Sequence, residues 1–119
     1  MSRVLATGVG ALSLASGLAA SEVPDAGPLA SEWKGPYGGV PPFDRVEVAH
    51  FKPAFETAIG AYRAEIRQIA DQSAPANFDN TIAALEKAGR ALDRVEAVYG
   101  VWGSTMSTPE FRAIEQEME

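Results

Sequence analysis

The amino-acid sequence reads as all-α: an antiparallel hairpin of two long amphipathic helices and the start of a third, preceded by an extended arm rich in proline and glycine. Three observations lead there. Apolar residues recur at steps of three and four in two successive runs, Phe51 to Ile69 and Ile82 to Trp102, which is the period of a helix that buries one stripe. A short break holding Pro75 separates the runs, and so short a connection turns the second helix back along the first. Ahead of both, residues 22 to 45 carry Pro24, Gly27, Pro28, Gly35, Pro36, Gly38, Gly39, Pro41 and Pro42, too many breakers for a regular helix or a central strand.

Residues 1–21 read as a signal peptide. Arg3 and the amino terminus make a short positive region, and Val4 to Leu18 follow as an uncharged stretch of apolar and small residues. The small residues from Ser16 to Ser21 allow cleavage after Ala19 or after Ser21. A membrane anchor would need about 20 strongly apolar residues, and Gly, Ser and Thr dilute this shorter stretch. Gly8-Val9-Gly10-Ala11-Leu12-Ser13 superficially looks like a dinucleotide fingerprint, but the strand, helix and acidic residue that give such a motif meaning are not predicted around it.

The arm spans residues 22–47. Trp33, Tyr37 and Phe43 are scattered through it, and large rings are costly to leave in water. The expectation is therefore an arm laid on a folded surface with its rings in pockets, rather than a free linker.

The helical region spans 48–119. In the first helix Phe51, Phe55, Ile59, Tyr62, Ile66 and Ile69 form one stripe running to about Asp71, with Pro53 tolerated in the first turn. Asp79 or Asn80 caps the second, whose stripe is Ile82, Leu85, Gly89, Leu92, Val95, Tyr99 and Trp102, ending near Gly103. Each helix is on the order of 23 residues, or about 35 Å. Gly89, placed on the stripe, would let the partner helix approach closely. Ser107 and Glu110 fit a capping box for a third helix, with Pro109 in its first turn and a new stripe of Phe111, Ile114 and Met118. The sequence then reaches Glu119 with no Gly or Asn cap and no basic last turn, so this helix reads as truncated.

Composition narrows the function. The 119 residues are 46% hydrophobic and 22% charged, which is globular rather than disordered. A net charge of -6 argues against a nucleic-acid surface or an anionic membrane, both of which need clustered Lys and Arg. The absence of cysteine excludes disulfides, thiol nucleophiles and cysteine-held zinc. With one histidine and no recognised nucleophile motif or phosphate loop, a complete small enzyme is disfavoured.

Three segments resemble one family. They are Trp33 with Pro36-Tyr37-Gly38 and Val40-Pro41-Pro42-Phe43-Asp44; Phe43-Asp44-Arg45-Val46 leading to His50-Phe51-Lys52-Pro53-Ala54-Phe55; and Phe78-Asp79-Asn80-Thr81-Ile82-Ala83-Ala84-Leu85-Glu86 followed by Gly89 and Leu92-Asp93-Arg94-Val95. In this order and spacing the chain after its leader resembles the N-terminal part of the zinc oligopeptidases: peptidyl-dipeptidases, oligopeptidase A and thimet oligopeptidase. The resemblance implies a mostly helical zinc metallopeptidase with a deep channel, acting on short peptides, whose N-terminal helices form a channel wall. It implies zinc held by the two histidines of H-E-x-x-H and a downstream glutamate, with the motif's own glutamate activating water. This sequence has only His50, so none of those residues can be carried onto it.

No catalytic, cofactor-binding or metal residue is therefore assigned. His50, in a first helical turn, is a capping or packing group. Asn80 and Thr81 are cap residues, and Tyr99 and Trp102 are core. Glu115, Glu117 and Glu119 alternate, which leaves only Glu115 and Glu119 on one side of a helix, a solvated acidic face. The expected function is a non-catalytic N-terminal fragment of an exported, periplasmic zinc peptidyl-dipeptidase, inactive alone. Its partners are the remainder of its own polypeptide and, through that, short peptides, without nucleic acid or stable membrane insertion. The alternative is a stand-alone helical binding module of the envelope.

Overall fold

The computed structural model describes residues 25–118. The leader, its cleavage sites, the Gly8–Ser13 segment and Glu119 lie outside these residues. Within them every regular element is helical and no strand occurs. Four α-helices follow one another: α1 (Phe51–Ala70), α2 (Ala83–Lys87), α3 (Arg90–Thr105) and α4 (Pro109–Met118). A π-turn at Phe78–Ile82 leads into α2, and 3₁₀ turns at Gly27–Ala30, Pro36–Gly38 and Val48–His50 punctuate the arm.

The hairpin is antiparallel, as its pairwise contacts show. Phe51 meets Trp102, and Phe55 meets Tyr99. Glu65 accepts the backbone N–H of Gly89 at 2.7 Å, and the Gln72 amide donates to the Asn80 carbonyl at 3.0 Å. As the first helix of the hairpin climbs in number, its partner descends.

The predicted second helix is not continuous. It breaks at Ala88–Gly89, where Ala88 is extended (ψ 147°) and Gly89 adopts φ +84°. That left-handed conformation is open to glycine and costly to residues with a Cβ. A Cβ there would also lie 3.2 Å from the Tyr62 ring. Gly89 is thus a close-approach site, as its place on the stripe suggested, but it makes that approach by breaking the helix.

The break changes which residues are buried. On α3, Val95, Val98 and Trp102 enter the core. On the other side of Gly89, Ile82 and Leu85 are 49% and 46% exposed, although the continuous stripe would have buried them. On α1 the buried line is Phe51, Ala54, Phe55 and Ala58, while Ile59 and Tyr62 remain more than a third exposed. Small alanines on α1 and Ala91 on α3 border a small cleft there, and Leu29 from the arm, itself buried, forms part of its wall with Val95.

At the open end of the hairpin the core is aromatic. The Phe51 ring, fully buried, meets Tyr99, Trp102 and Phe111 edge-on at centroid distances of 5.6, 5.5 and 5.5 Å. Such T-shaped pairs add about 0.5–1.5 kcal/mol each beyond area burial. Phe111 brings α4 onto this cluster, and an exposed pair between Lys52 and Glu117, 2.7 Å apart, spans α1 and α4.

The caps differ from expectation in register. Asn77, not Asp79 or Asn80, precedes the π-turn; its side chain accepts the Asn80 N–H at 2.9 Å while Asn80 Oδ1 accepts the Asn77 N–H at 2.8 Å. For α4 the cap is Thr108 rather than Ser107: its hydroxyl accepts the Phe111 N–H at 3.2 Å. Pro109 takes the first helical position, which puts the residue before it at the N-cap.

The arm is anchored by one of the three predicted rings and by two aliphatic residues that were not predicted. Leu29 and Val46 are its buried residues, and Trp33 packs partly against the core. Tyr37 is fully exposed at φ +60°, and Phe43 is 36% exposed.

Candidate functional site

His50, Asn80, Tyr99, Trp102 and the acids of α4 take definite places in the fold. His50 Nδ1 accepts the Glu47 backbone N–H at 3.0 Å, closing the turn that enters α1. The face of its ring packs on Gly27, where an added Cβ would lie 2.8 Å from ring atoms. Asn80 organises the hairpin turn. Besides its reciprocal bonds with Asn77, it donates to the Pro75 carbonyl at 2.9 Å, and its Oδ1 accepts from the Thr81 hydroxyl. Tyr99 and Trp102 belong to the aromatic core. Among the acids of α4, Glu117 pairs with Lys52, while Glu115 lies beside Gly103 across the α3–α4 contact.

The Lys52 pKa is raised from its ordinary 10.5, first by the hydrogen bond to Glu117 and then by that carboxylate's charge. Among the described residues no group of three or more His, Cys, Asp or Glu side chains is placed to hold a metal ion.

What the surface offers is shape and apolar contact. An open groove of about 620 Å³ runs between α1, α3 and α4. Phe55, Tyr99 and Met118 form its apolar part, and Glu96, Arg112, Glu115 and Gln116 its polar part. A second groove of about 390 Å³ lies between α1 and α2, lined by Glu65, Gln68, Ile69, Gln72, Asn80, Ala84, Lys87 and Ala88. Outside the grooves, Phe78, Ile82 and Leu85 stand exposed along the π-turn and α2, 69%, 49% and 46% accessible. The sequence signalled the aromatic part of the first groove through its stripes. It concealed the exposed stripe, because a continuous second helix would have turned Ile82 and Leu85 inward.

No helix among the described residues is long and apolar enough to cross a membrane.

No family model matches the chain. Among curated proteins, the chain is similar to a dipeptidyl carboxypeptidase of Salmonella typhimurium, 33% identical over 89 residues that make up 75% of this chain and 13% of the relative. It is also similar to a dipeptidyl carboxypeptidase of Escherichia coli K12, 34% identical over 77 residues, 65% of this chain and 11% of the relative. The chain thus spans about an eighth of the length of these relatives.

Proposed function

The chain is related to the peptidyl-dipeptidase family, and from that premise we propose that it is the N-terminal, non-catalytic part of an exported zinc metallopeptidase that removes dipeptides from the C-termini of short peptides. One observation carries the reading: three quarters of this chain aligns with little more than a tenth of a dipeptidyl carboxypeptidase. A segment in that proportion supplies a part of an enzyme's architecture.

In this reading the helical hairpin is a piece of channel wall, and residues 1–21 direct export to the periplasm and are removed. Zinc belongs to other parts of the polypeptide. A zincin motif needs two histidines on one helix; this chain has His50 alone, and its Nδ1 accepts a backbone hydrogen bond. The residues present do not fit the metal, and no catalytic step is routed through them.

The test is an exchange. In the Escherichia coli dipeptidyl carboxypeptidase, the residues matched by this chain are replaced with the corresponding ones from here, and dipeptide release from a short peptide is followed. The reading predicts a folded chimera that still releases C-terminal dipeptides, while the 119-residue chain alone, supplied with zinc, releases none. A folded chimera without activity, or hydrolysis by the chain alone, contradicts it. A second reading, a free-standing helical binding module of the envelope, draws on the aromatic core, which closes around Phe51 from α1, α3 and α4 without outside help.

A further inference from the structure

The described residues bury ten hydrophobic side chains, pack others partly against them, and leave ten large ones exposed. The exposed ones are grouped. Phe78, Ile82 and Leu85 follow one another at steps of four and three along the π-turn and α2. Val101 and Met106 lie toward the other end of α3, a helix about 24 Å long. Tyr37 and Val40 stand out from the arm.

We propose that the Phe78–Ile82–Leu85 stripe is a docking face for a larger body of the same polypeptide, one that presents an apolar strip flanked by basic side chains. The inference rests on the reading above and adds to it the surface and the chemistry of the contact.

Three considerations select this occupant. Runs of exposed apolar side chains on a small protein mark contact surfaces rather than ordinary solvent-facing positions. The flanking charges are acidic: Asp79 and Glu86, both exposed, neighbour Phe78 and Leu85 directly in sequence. The nearest basic residues lie elsewhere. Lys87 lines the groove toward α1 with Glu65, and Arg90 lies beyond the left-handed break. A second copy placed on the stripe by a two-fold axis would set carboxylates against carboxylates, because such an interface meets itself. It would also leave the groups at Val101 and at Tyr37 uncovered, since one isologous patch cannot reach three separate places. A body able to wrap several sides meets both requirements, and relatives roughly six times as long as this chain have the length to supply one. The segment is also held ready for contact: the Asn77–Asn80 box, the Gln72 bridge and the Glu65–Gly89 bond fix it on α1 without using the stripe.

The test titrates the 119-residue chain into the Escherichia coli dipeptidyl carboxypeptidase from which the matched residues have been removed, followed by sedimentation velocity. The wild-type chain is expected to form a one-to-one complex. The variant Phe78→Asp/Ile82→Asp/Leu85→Asp is expected to bind at least a hundredfold more weakly. Because these side chains are exposed, its melting temperature should stay within a few degrees of wild type, which separates lost contact from lost fold. A charge-reversed variant, Asp79→Lys/Glu86→Lys, should also weaken the complex, by about tenfold, with its salt dependence reduced. Equal binding by wild type and the triple variant would overturn the proposal. So would no binding by wild type, or a stable dimer of the chain alone that the triple variant dissolves. The chimera experiment reads the underlying function separately: an active chimera whose stripe tolerates three aspartates would refute the docking face and leave the peptidase reading standing.

Discussion

Phe51 carries more of this structure than any other side chain. Its ring lies between three others, one from α4 and two from α3, and has no solvent exposure. Truncating a fully buried phenylalanine costs about 3–5 kcal/mol, transfer and cavity terms together. Small domains have about 5–15 kcal/mol in total. Phe51→Ala should therefore lower the urea midpoint drastically or leave the chain largely unfolded at 25 °C. An unfolding free energy within about 1 kcal/mol of wild type would show that the aromatic cluster does not organise the fold. Lys52, its neighbour, illustrates the opposite limit. Both members of its pair with Glu117 are about half exposed, and such pairs contribute little. The sign of their pH dependence is nonetheless fixed. A lysine whose folded pKa is raised stabilises fully below its unfolded value of 10.5 and loses that contribution as pH rises through the folded value. Thermal melts of wild type and Lys52→Gln should differ slightly at neutral pH and converge in strong alkali, and added salt should shrink the neutral-pH difference. A difference that grew with alkalinity would contradict the pairing.

Helix by helix, the decisive feature is the break at Gly89. It re-phases the second half of the hairpin, so that one stripe in the sequence becomes a buried face on α3 and an exposed one on α2. Three glycines make a direct comparison. Gly89→Ala meets both a positive φ and the Tyr62 ring, and should destabilise by about 1–2 kcal/mol. Gly60 and Gly100 sit inside α1 and α3 with open space where a Cβ would go. Alanine at either should stabilise by about 0.5–1 kcal/mol. Denaturant melts of the three variants check this; stabilisation by Gly89→Ala would mean the second helix is continuous after all. The same position marks how far the sequence was legible. Periodicity placed α1, α3 and α4, and the Pro75 break placed the hairpin, because these depend on local pattern alone. Gly89 also fell on the apolar period, and a glycine with no side chain to bury reads the same whether it allows close packing or ends a helix. The caps slipped by one to three residues for a related reason: Asn77, Asp79 and Asn80, like Ser107 and Thr108, are interchangeable as acceptors, and only backbone geometry decides among them.

For the molecule as a whole, the arm is part of the fold. Its contribution comes from an aliphatic residue that composition did not flag: Leu29, 2% exposed, joins the core cluster beside the small alanines of α1 and α3. The sequence drew attention to aromatic rings because they have the largest area to hide, yet the most deeply buried side chain of the arm is a leucine. Leu29→Ala should cost about 2–5 kcal/mol, measured by thermal or urea denaturation. A loss below 0.5 kcal/mol would show that the arm merely rests on the helices. Among the described residues the prominent side chains cap, pack or remain exposed. Function is therefore sought in what surrounds these residues, as the relatives' much greater length suggests. The measurement to make is the nucleotide sequence of the locus past codon 119. The account predicts an open reading frame continuing in phase and encoding H-E-x-x-H with a glutamate downstream. A stop codon followed by unrelated sequence would contradict it and leave a free-standing helical binding module in its place.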